Sequence, residues 1–461
     1  MQELTAFWED ARKLNWDLVN KENKVISLKS SYILGSKKKG SKLFVRECYL
    51  GLFDTVLQNF SNRDKIILGN PGIGKTFFGY YLLLYFISQH KTVLYEDKDD
   101  TAYKFSTEGV YEGKIDQFWG ELSNENNIYI VDGKKPLENV DAKTILVTSP
   151  KKSIWHSFAK VNAAIYYMPV WSYDEIEKCR GLVFDTVEKE KAQELFDKWG
   201  GIPRYVLSLA HEPTQQNLLD NTISTADTTK ITDAINEKEA SDDTPHMIIH
   251  MEVNEKWERT GLKFASPYVN KRIVNKLLNI ERENLTRLLR VISNDSRCGS
   301  LYVNIFEPWA HRELANGGYF TIRPLEIRNA ETKTTTLRLK PSKVVIFGKE
   351  DDIKDKEEGE YYQPKSKIYP SVDSFKKPNM LFQITVSTRH YVNHDGLLSA
   401  LGKLGNPENP HLYFVVPKQL LDDLTFQSYT KKDKRVREDS QIDDKVNDVK
   451  QYALSLSFEI K

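Results

Sequence analysis

Eight residues constrain this chain more than any other feature: Gly69-Asn70-Pro71-Gly72-Ile73-Gly74-Lys75-Thr76. A short apolar run, Lys65-Ile66-Ile67-Leu68, leads into them, and a longer one, Phe77 to Ser88, follows. Glycines, a lysine and a hydroxyl residue at this spacing let consecutive backbone N–H groups wrap an anion at a helix N-terminus. Chance supplies the pattern in roughly one or two chains per hundred of this length. Its position between a strand and a helix argues against an ordinary glycine turn. We therefore read a P-loop. In that reading Gly69, Gly72 and Gly74 shape the phosphate cradle, Lys75 reaches the β- and γ-phosphates, and the Thr76 hydroxyl ligates Mg²⁺. ATP or GTP with Mg²⁺ is the expected ligand.

The segments around the loop alternate between strand-like and helical. Besides residues 65–68, the runs 92–96, 128–131, 144–147 and 164–167 are continuously apolar. Such runs mark parallel strands covered on both faces, and five of them predict a doubly wound α/β domain with its ligand at the carboxyl strand ends. Asp132 closes the third of these runs and is the natural Mg²⁺ carboxylate. Gly133 follows it where many ATPases carry a water-activating glutamate. Glu96 is a substitute base, although Glu96-Asp97-Lys98-Asp99-Asp100 also reads as a charged loop. Thr148 and Ser149 end the next strand, either as γ-phosphate sensors or as plain polar residues. Arg204 follows Gly200-Gly201-Ile202-Pro203, where a glycine pair stops one helix and a proline starts another. It is expected on a lid over the phosphates, the alternative being a surface arginine.

Ser172 with Glu175 predicts a capping box, and residues 188–199 a further helix. Residues 213–245 read as a polar connector with at most one helix, and 253–296 as mainly helical. A helix near 304–315 and strands near 319–326, 335–347, 380–386 and 412–416 predict a second α/β unit. A charged loop at 349–360 and a last helix near 443–456 complete it. The expected divisions are 1–40 (helical segment and basic loop), 41–215 (P-loop domain with lid), 216–298 (connector and helical linker) and 299–461 (second α/β domain).

Composition excludes little else. No stretch reaches eighteen apolar residues, so no membrane-spanning helix is expected. Met1 to Asp10 carries acids and a tryptophan and does not read as a secretory signal. Cys48, Cys179 and Cys298 lie far apart without metal-ligand spacing, as reduced intracellular thiols do. A net charge of +1 requires that any nucleic-acid binding come from a local patch.

Several segments, in order, resemble the Crinkler effector family and the related trypanosome retrotransposon hot spot proteins. In the first half these are Leu43-Phe44-Val45-Arg46-Glu47-Cys48-Tyr49, the P-loop, Ile130-Val131-Asp132-Gly133, Met168-Pro169-Val170-Trp171 and Gly200 to Arg204. In the second half they are Phe306-Glu307 with His311, Gly317-Gly318, Leu381 to Val386, Tyr413 to Pro417 and Gln451-Tyr452. The resemblance implies an AAA+/STAND-like P-loop NTPase with a helical lid, followed by an α/β PD-(D/E)XK nuclease-like domain. It also implies a secreted effector acting inside host cells, often in the nucleus, with DNA or a host nuclear protein as partner and self-association in reach. Nucleases of that type hold a divalent metal with acids on a helix and two strands, and a lysine assists the attacking water. Carried over, Glu307 matches the helix acid and Asp373, in Tyr369-Pro370-Ser371-Val372-Asp373, the first strand acid. Gln383 stands where the second acid belongs, as a third, neutral oxygen ligand, and Thr385 stands at the lysine position. Those departures count against cleavage. His311, His390 and His394 are candidates for phosphate contact or proton transfer, or structural histidines.

Overall fold

All five apolar runs form parallel strands of one sheet. The computed structural model describes residues 1–16, 25–58, 60, 64–236, 244–279, 282–326, 333–348, 353, 357–365, 371–431, 434–435 and 442–457. Much of the expected 349–360 loop, Tyr369-Pro370 and part of the expected connector lie outside these residues. The chain divides into two compact units, Met1–Leu277 with Asp295–Ser300, and Leu278–Asn294 with Leu301–Lys461.

In the first unit β1 (Val25–Ser27) pairs antiparallel with β2 (Lys42–Phe44). The main sheet holds β3 (Asp64–Leu68), β4 (Val93–Glu96), β5 (Ala102–Ser106), β6 (Gly109–Gly113), β7 (Ile128–Asp132), β8 (Lys143–Val147) and β9 (Ala163–Tyr167). Their order is β6-β5-β4-β7-β8-β3-β9. Strands β4, β7, β8, β3 and β9 are parallel. β5 and β6 add an antiparallel edge hairpin beside β4. Ile66, Ile67, Leu68, Ile130, Val131, Ile145 and Leu146 are all fully buried, as strands covered on both faces require. The helix after the P-loop, Lys75–Ser88, is apolar all round and accordingly buried on most sides. It takes Trp16, Phe53, Tyr81 and Tyr85 into one aromatic cluster.

Two expectations for the middle of the chain need correction. The connector contains helices at Pro213–Thr225 and Thr228–Asn236. Pro213 sits at the helix start, and burial of Leu219, Thr222 and Ile223 outweighs the poor intrinsic propensity of Thr and Asn. The expected helical stretch from 253 begins instead with a hairpin, β10 (Ile249–Val253) and β11 (Arg259–Phe264). Helices at Pro267–Asn279 and Arg282–Ser293 follow.

The second unit is built on an eight-stranded mixed sheet. Its strands are β12 (Gly318–Pro324), β13 (Thr335–Leu339), β14 (Val344–Phe347), β15 (Tyr361–Pro364), β16 (Ser374–Lys376), β17 (Met380–Ile384), β19 (His411–Pro417) and β22 (Lys450–Leu456). They run in the order β13-β12-β22-β19-β17-β16-β15-β14. A small sheet holds β18 (Val392–Asn393), β20 (Tyr429–Lys431) and β21 (Lys434–Arg435). Alternation along the strands gives the main sheet two covered faces. On one, Tyr361 hydrogen-bonds His311 of helix Gly299–Asn316. On the other, Tyr362, Phe375, Leu381 and Phe414 pack against Leu397, Ala400 and Leu401 of helix His394–Lys403.

The helix expected near 443–456 is a single turn, Asp444–Asn447, followed by the strand β22. Leu, Ala, Gln and Lys favour helix locally, but residues 450–456 lie between β12 and β19, where pairing on both edges decides the outcome.

Candidate functional site

The strand order sets the carboxyl ends of β4, β7, β8 and β3 side by side, so residues far apart in sequence meet around the P-loop. Gly72 and Gly74 carry positive φ, +83° and +99°, which fold the loop back into the helix beginning at Lys75. Lys75 Nζ donates to the carbonyls of Gly69 and Asn70, each at 2.8 Å, so the ammonium sits over the cradle. Thr76 Oγ1 donates to Asp132 Oδ1 at 3.1 Å, and Tyr95 donates to Asp132 Oδ2 at 3.3 Å. Burial pushes the Asp132 carboxyl above its ordinary range, while Thr76 and Lys75 pull it back. A hydroxyl and a carboxylate in contact at a helix N-terminus are hard oxygen donors and fit Mg²⁺.

Thr148 continues the ladder, its N–H donating to Ile67 O at 3.0 Å. Its side chain is 2% exposed, and its hydroxyl has no partner among the described residues. A buried unpaired hydroxyl at this strand end is what a γ-phosphate contact would satisfy. Arg204 opens a one-turn π-helix, Arg204–Ser208, and its N–H approaches Gly72 O at 3.4 Å. A Cβ built on Gly72 would stand 3.1 Å from Arg204 Cβ and 3.4 Å from its Nε. The expected lid arginine therefore lies against the P-loop with its side chain exposed.

Glu96 goes elsewhere. Tyr95 and Ile130 line the face toward the P-loop helix, where both approach Gly79. Strand alternation turns Glu96 to the opposite face. There it is 1% exposed, accepts hydrogen bonds from Tyr129 and Lys134, and pairs with Lys134 at 2.7 Å. Its carboxylate is a buried ion-pair partner, neither a loop charge nor a group brought to the phosphate cradle.

Sequence reasoning did not find the groups that hold the loop from outside. Trp171 Nε1 donates to Ile73 O at 2.7 Å, and Tyr49 donates to Gly74 O at 2.7 Å. Arg46, 0% exposed, reaches Ile73 O, Pro169 O and Val170 O, and forms a two-pronged pair with Glu175, each bond 3.1 Å. Its guanidinium lies 4.7 Å from the Trp171 ring centroid. Glu175 also completes the expected capping box with Ser172 at the start of helix Tyr173–Val183. Asn70 hands its amide to β10, donating to Ile249 O and accepting from Met251 N, both at 3.0 Å.

In the second unit Asp373 and Gln383 meet, with Glu307 near enough for its charge to act on Asp373. Asp373 N donates to Phe382 O at 2.8 Å, bringing the start of β16 beside β17. Gln383 Nε2 donates to Asp373 Oδ2 at 2.7 Å and the Ile384 N–H donates to the same oxygen at 2.6 Å. Burial, opposed by the Ile384 N–H and reinforced by the negative charge of Glu307, moves the Asp373 carboxyl up to about 7. Both donors fall on one oxygen, Asp373 Oδ2, which limits what that oxygen can offer a divalent ion. No cluster of three His, Cys, Asp or Glu side chains fit for a metal occurs among the described residues. Thr385, at the lysine position, accepts from the Ser387 N–H. His311 is bound to Tyr361, and His394 bridges Asp395 and the Asp443 N–H, so both have structural partners.

No protein-family model matches the chain. It is 25% identical over 408 residues to Crinkler effector protein 15 of Phytophthora infestans, covering 85% of this chain and 65% of that protein. Crinkler effector protein 16 of the same organism is 25% identical over 412 residues, covering 85% and 64%. The chain thus spans just under two thirds of the length of these relatives. Among solved structures it is similar to the Thermotoga maritima RuvB Holliday junction branch migration motor, with 11% identity, TM-score 0.27, and 59% and 89% coverage. It is also similar to AMPPCP-bound DnaA from Aquifex aeolicus, with 11% identity, TM-score 0.24, and 58% and 90% coverage. Those superpositions are loose, and the P-loop NTPase-like fold of the first unit rests on its strand order and loop geometry. Along 85% of its length the chain is similar to these Crinkler effector proteins, the family that its sequence segments resemble.

Proposed function

We propose that the first unit binds ATP or GTP with Mg²⁺, hydrolyses it slowly, and uses nucleotide occupancy to control the second unit, which grips nucleic acid inside a host cell, in the nucleus. The observation that carries the nucleotide reading is the contact of Thr76 with Asp132 at the mouth of a P-loop whose lysine sits over the cradle. In this reading the loop amides and Lys75 bind the phosphates, and Thr76 and Asp132 hold Mg²⁺. Thr148 and Arg204 read the γ-phosphate. Glu96 is turned away and Gly133 follows Asp132, so neither of these positions supplies a carboxylate to activate water, which supports slow turnover. The P-loop domain with its lid and the second α/β domain keep the divisions read from the sequence as a working scheme.

The test is a melting series. Mg·ATP at 100 times its dissociation constant should stabilise the protein by about 2.7 kcal/mol. Lys75→Ala should abolish the shift, and Arg204→Ala should keep it while erasing the difference between ATP and ADP. A wild type that ignores millimolar Mg·ATP and Mg·GTP defeats the reading.

For the second unit, the Gln383 amide on Asp373 favours binding over cleavage. Thr385 stands where a lysine would help the attacking water, and losing one such electrostatic contact commonly costs about 10²–10³ in rate. We expect undetectable plasmid nicking and a nucleic-acid affinity that falls steeply with salt. Vigorous Mg²⁺-dependent nicking abolished by Asp373→Ala would overturn this. No DNA or RNA binding at low salt would leave the other reading, a nucleotide-gated module that self-associates or targets a host protein.

A further inference from the structure

Three side chains outside the P-loop grip its carbonyls, and the planarity of the peptide bond turns that grip into a statement about its amides. In a trans peptide the C=O and the following N–H point in opposite directions. Ile73 C=O shares its peptide with Gly74 N–H, and Gly74 C=O shares its peptide with Lys75 N–H. Trp171 Nε1, at 2.7 Å, and Arg46, at 3.4 Å, draw the Ile73 carbonyl outward. Tyr49 Oη, at 2.7 Å, draws the Gly74 carbonyl outward beside its helical bond from Phe78 N. Two consecutive N–H groups are thereby aimed into the cradle before any anion arrives.

The contacts are close. A Cβ on Gly74 would stand 2.8 Å from Tyr49 Oη and 4.0 Å from Trp171 Cζ2. The grip is itself held. Phe44 stacks on Trp171 with ring centroids 5.6 Å apart, and Trp171 N donates to Gly201 O at 3.0 Å. Tyr49 is buried against Phe78 of the P-loop helix. Loop amides without such anchors would spend part of their time turned away, and each anion would first have to reorganise them.

We propose that Tyr49 and Trp171 are positioning residues that preorganise the P-loop for phosphate, acting through Gly74 and Lys75 amides without touching the nucleotide. This rests on the nucleotide reading given above. The ligand class it assigns is the phosphate chain itself, not base or ribose.

The experiment uses the full chain and two conservative variants, Tyr49→Phe and Trp171→Phe, each keeping its ring and losing only the donor. Tyr362→Phe is the control. Tyr362 is a buried ring of the second unit whose Oη donates to a backbone carbonyl, Glu357 O at 2.8 Å. Dissociation constants for Mg·ATP and for Mg·tripolyphosphate, which lacks base and ribose, are measured by calorimetry well below each melting temperature. We expect each loop variant to weaken both ligands by about 10-fold, in line with one well-placed hydrogen bond, while the control changes neither. Wild-type affinity in both loop variants, or equal weakening in the control, overturns the proposal and leaves the nucleotide reading intact. Weakening for ATP with none for tripolyphosphate overturns it too, since the effect would then lie at the nucleoside. A wild type that binds neither ligand removes the nucleotide reading and the proposal with it.

Discussion

Replacing Arg46 by Ala should cost about 3–5 kcal/mol of stability, the range typical of removing one partner from a buried ion pair. The guanidinium is fully buried, and its loss removes a donor from four residues at once. Glu175 loses both bonds from Arg46 and keeps the Ser172 N–H, Ile73 O keeps Trp171, and the carbonyls of Pro169 and Val170 lose a donor. Arg46→Lys should recover only part of the loss. A lysine keeps the charge but cannot form the two-pronged pair or lie flat on Trp171. Removing both charges together, with Arg46→Met and Glu175→Met, should destabilise by clearly less than the sum of the single changes, because no buried charge is left unpaired. Urea unfolding of the wild type, Arg46→Ala, Arg46→Lys, the two single methionine variants and the double variant checks this. A loss below about 1 kcal/mol for Arg46→Ala would show that the network contributes little.

That network also marks where sequence reading stops. The P-loop, its flanking strands and the Ser172–Glu175 cap were legible because each rests on neighbours in sequence: apolar runs, glycines, a residue pair three apart. Asp132, Thr148 and Arg204 could be placed in the fold because strand ends and helix stops have local signals, and the sheet order sets Asp132 and Thr148 at neighbouring strand ends. Arg46, Tyr49 and Trp171 carry no such signal. Their partners lie 27, 25 and 98 residues away, so only the folded chain reveals what each donor serves. Glu96 shows the reverse case. Its position at a strand end was right, yet the two-residue period of the strand, counted from Tyr95, sends it to the far face. In the second unit β22 failed for another reason, since its residues suit a helix until neighbouring strands pair with both of its edges.

Acid should weaken the first unit through one histidine. His250, on β10, is 1% exposed, and neither ring nitrogen has a partner among the described residues. A Cβ on Gly200 would stand 3.1 Å from its Cε1, so the lid-side glycine turn closes over the ring. Burial, with Lys263 and His246 adding positive charge nearby, moves its pKa down from 6.5 to about 3. The unfolded chain therefore binds a proton in a range where the folded chain does not. Stability from the neutral ring is complete above about pH 6.5, falls by about 1.4 kcal/mol per unit as pH drops, and levels off near pH 3. Between pH 7 and pH 4 this amounts to roughly 3 kcal/mol. His250→Leu, similar in volume and unable to titrate, should flatten that part of the curve whatever it does to stability at pH 7. Urea midpoints across the pH range, converted with a common m-value, give the comparison. Identical slopes for the two proteins between pH 6.5 and pH 4 would mean that water or a shift of the hairpin pairs the ring after all.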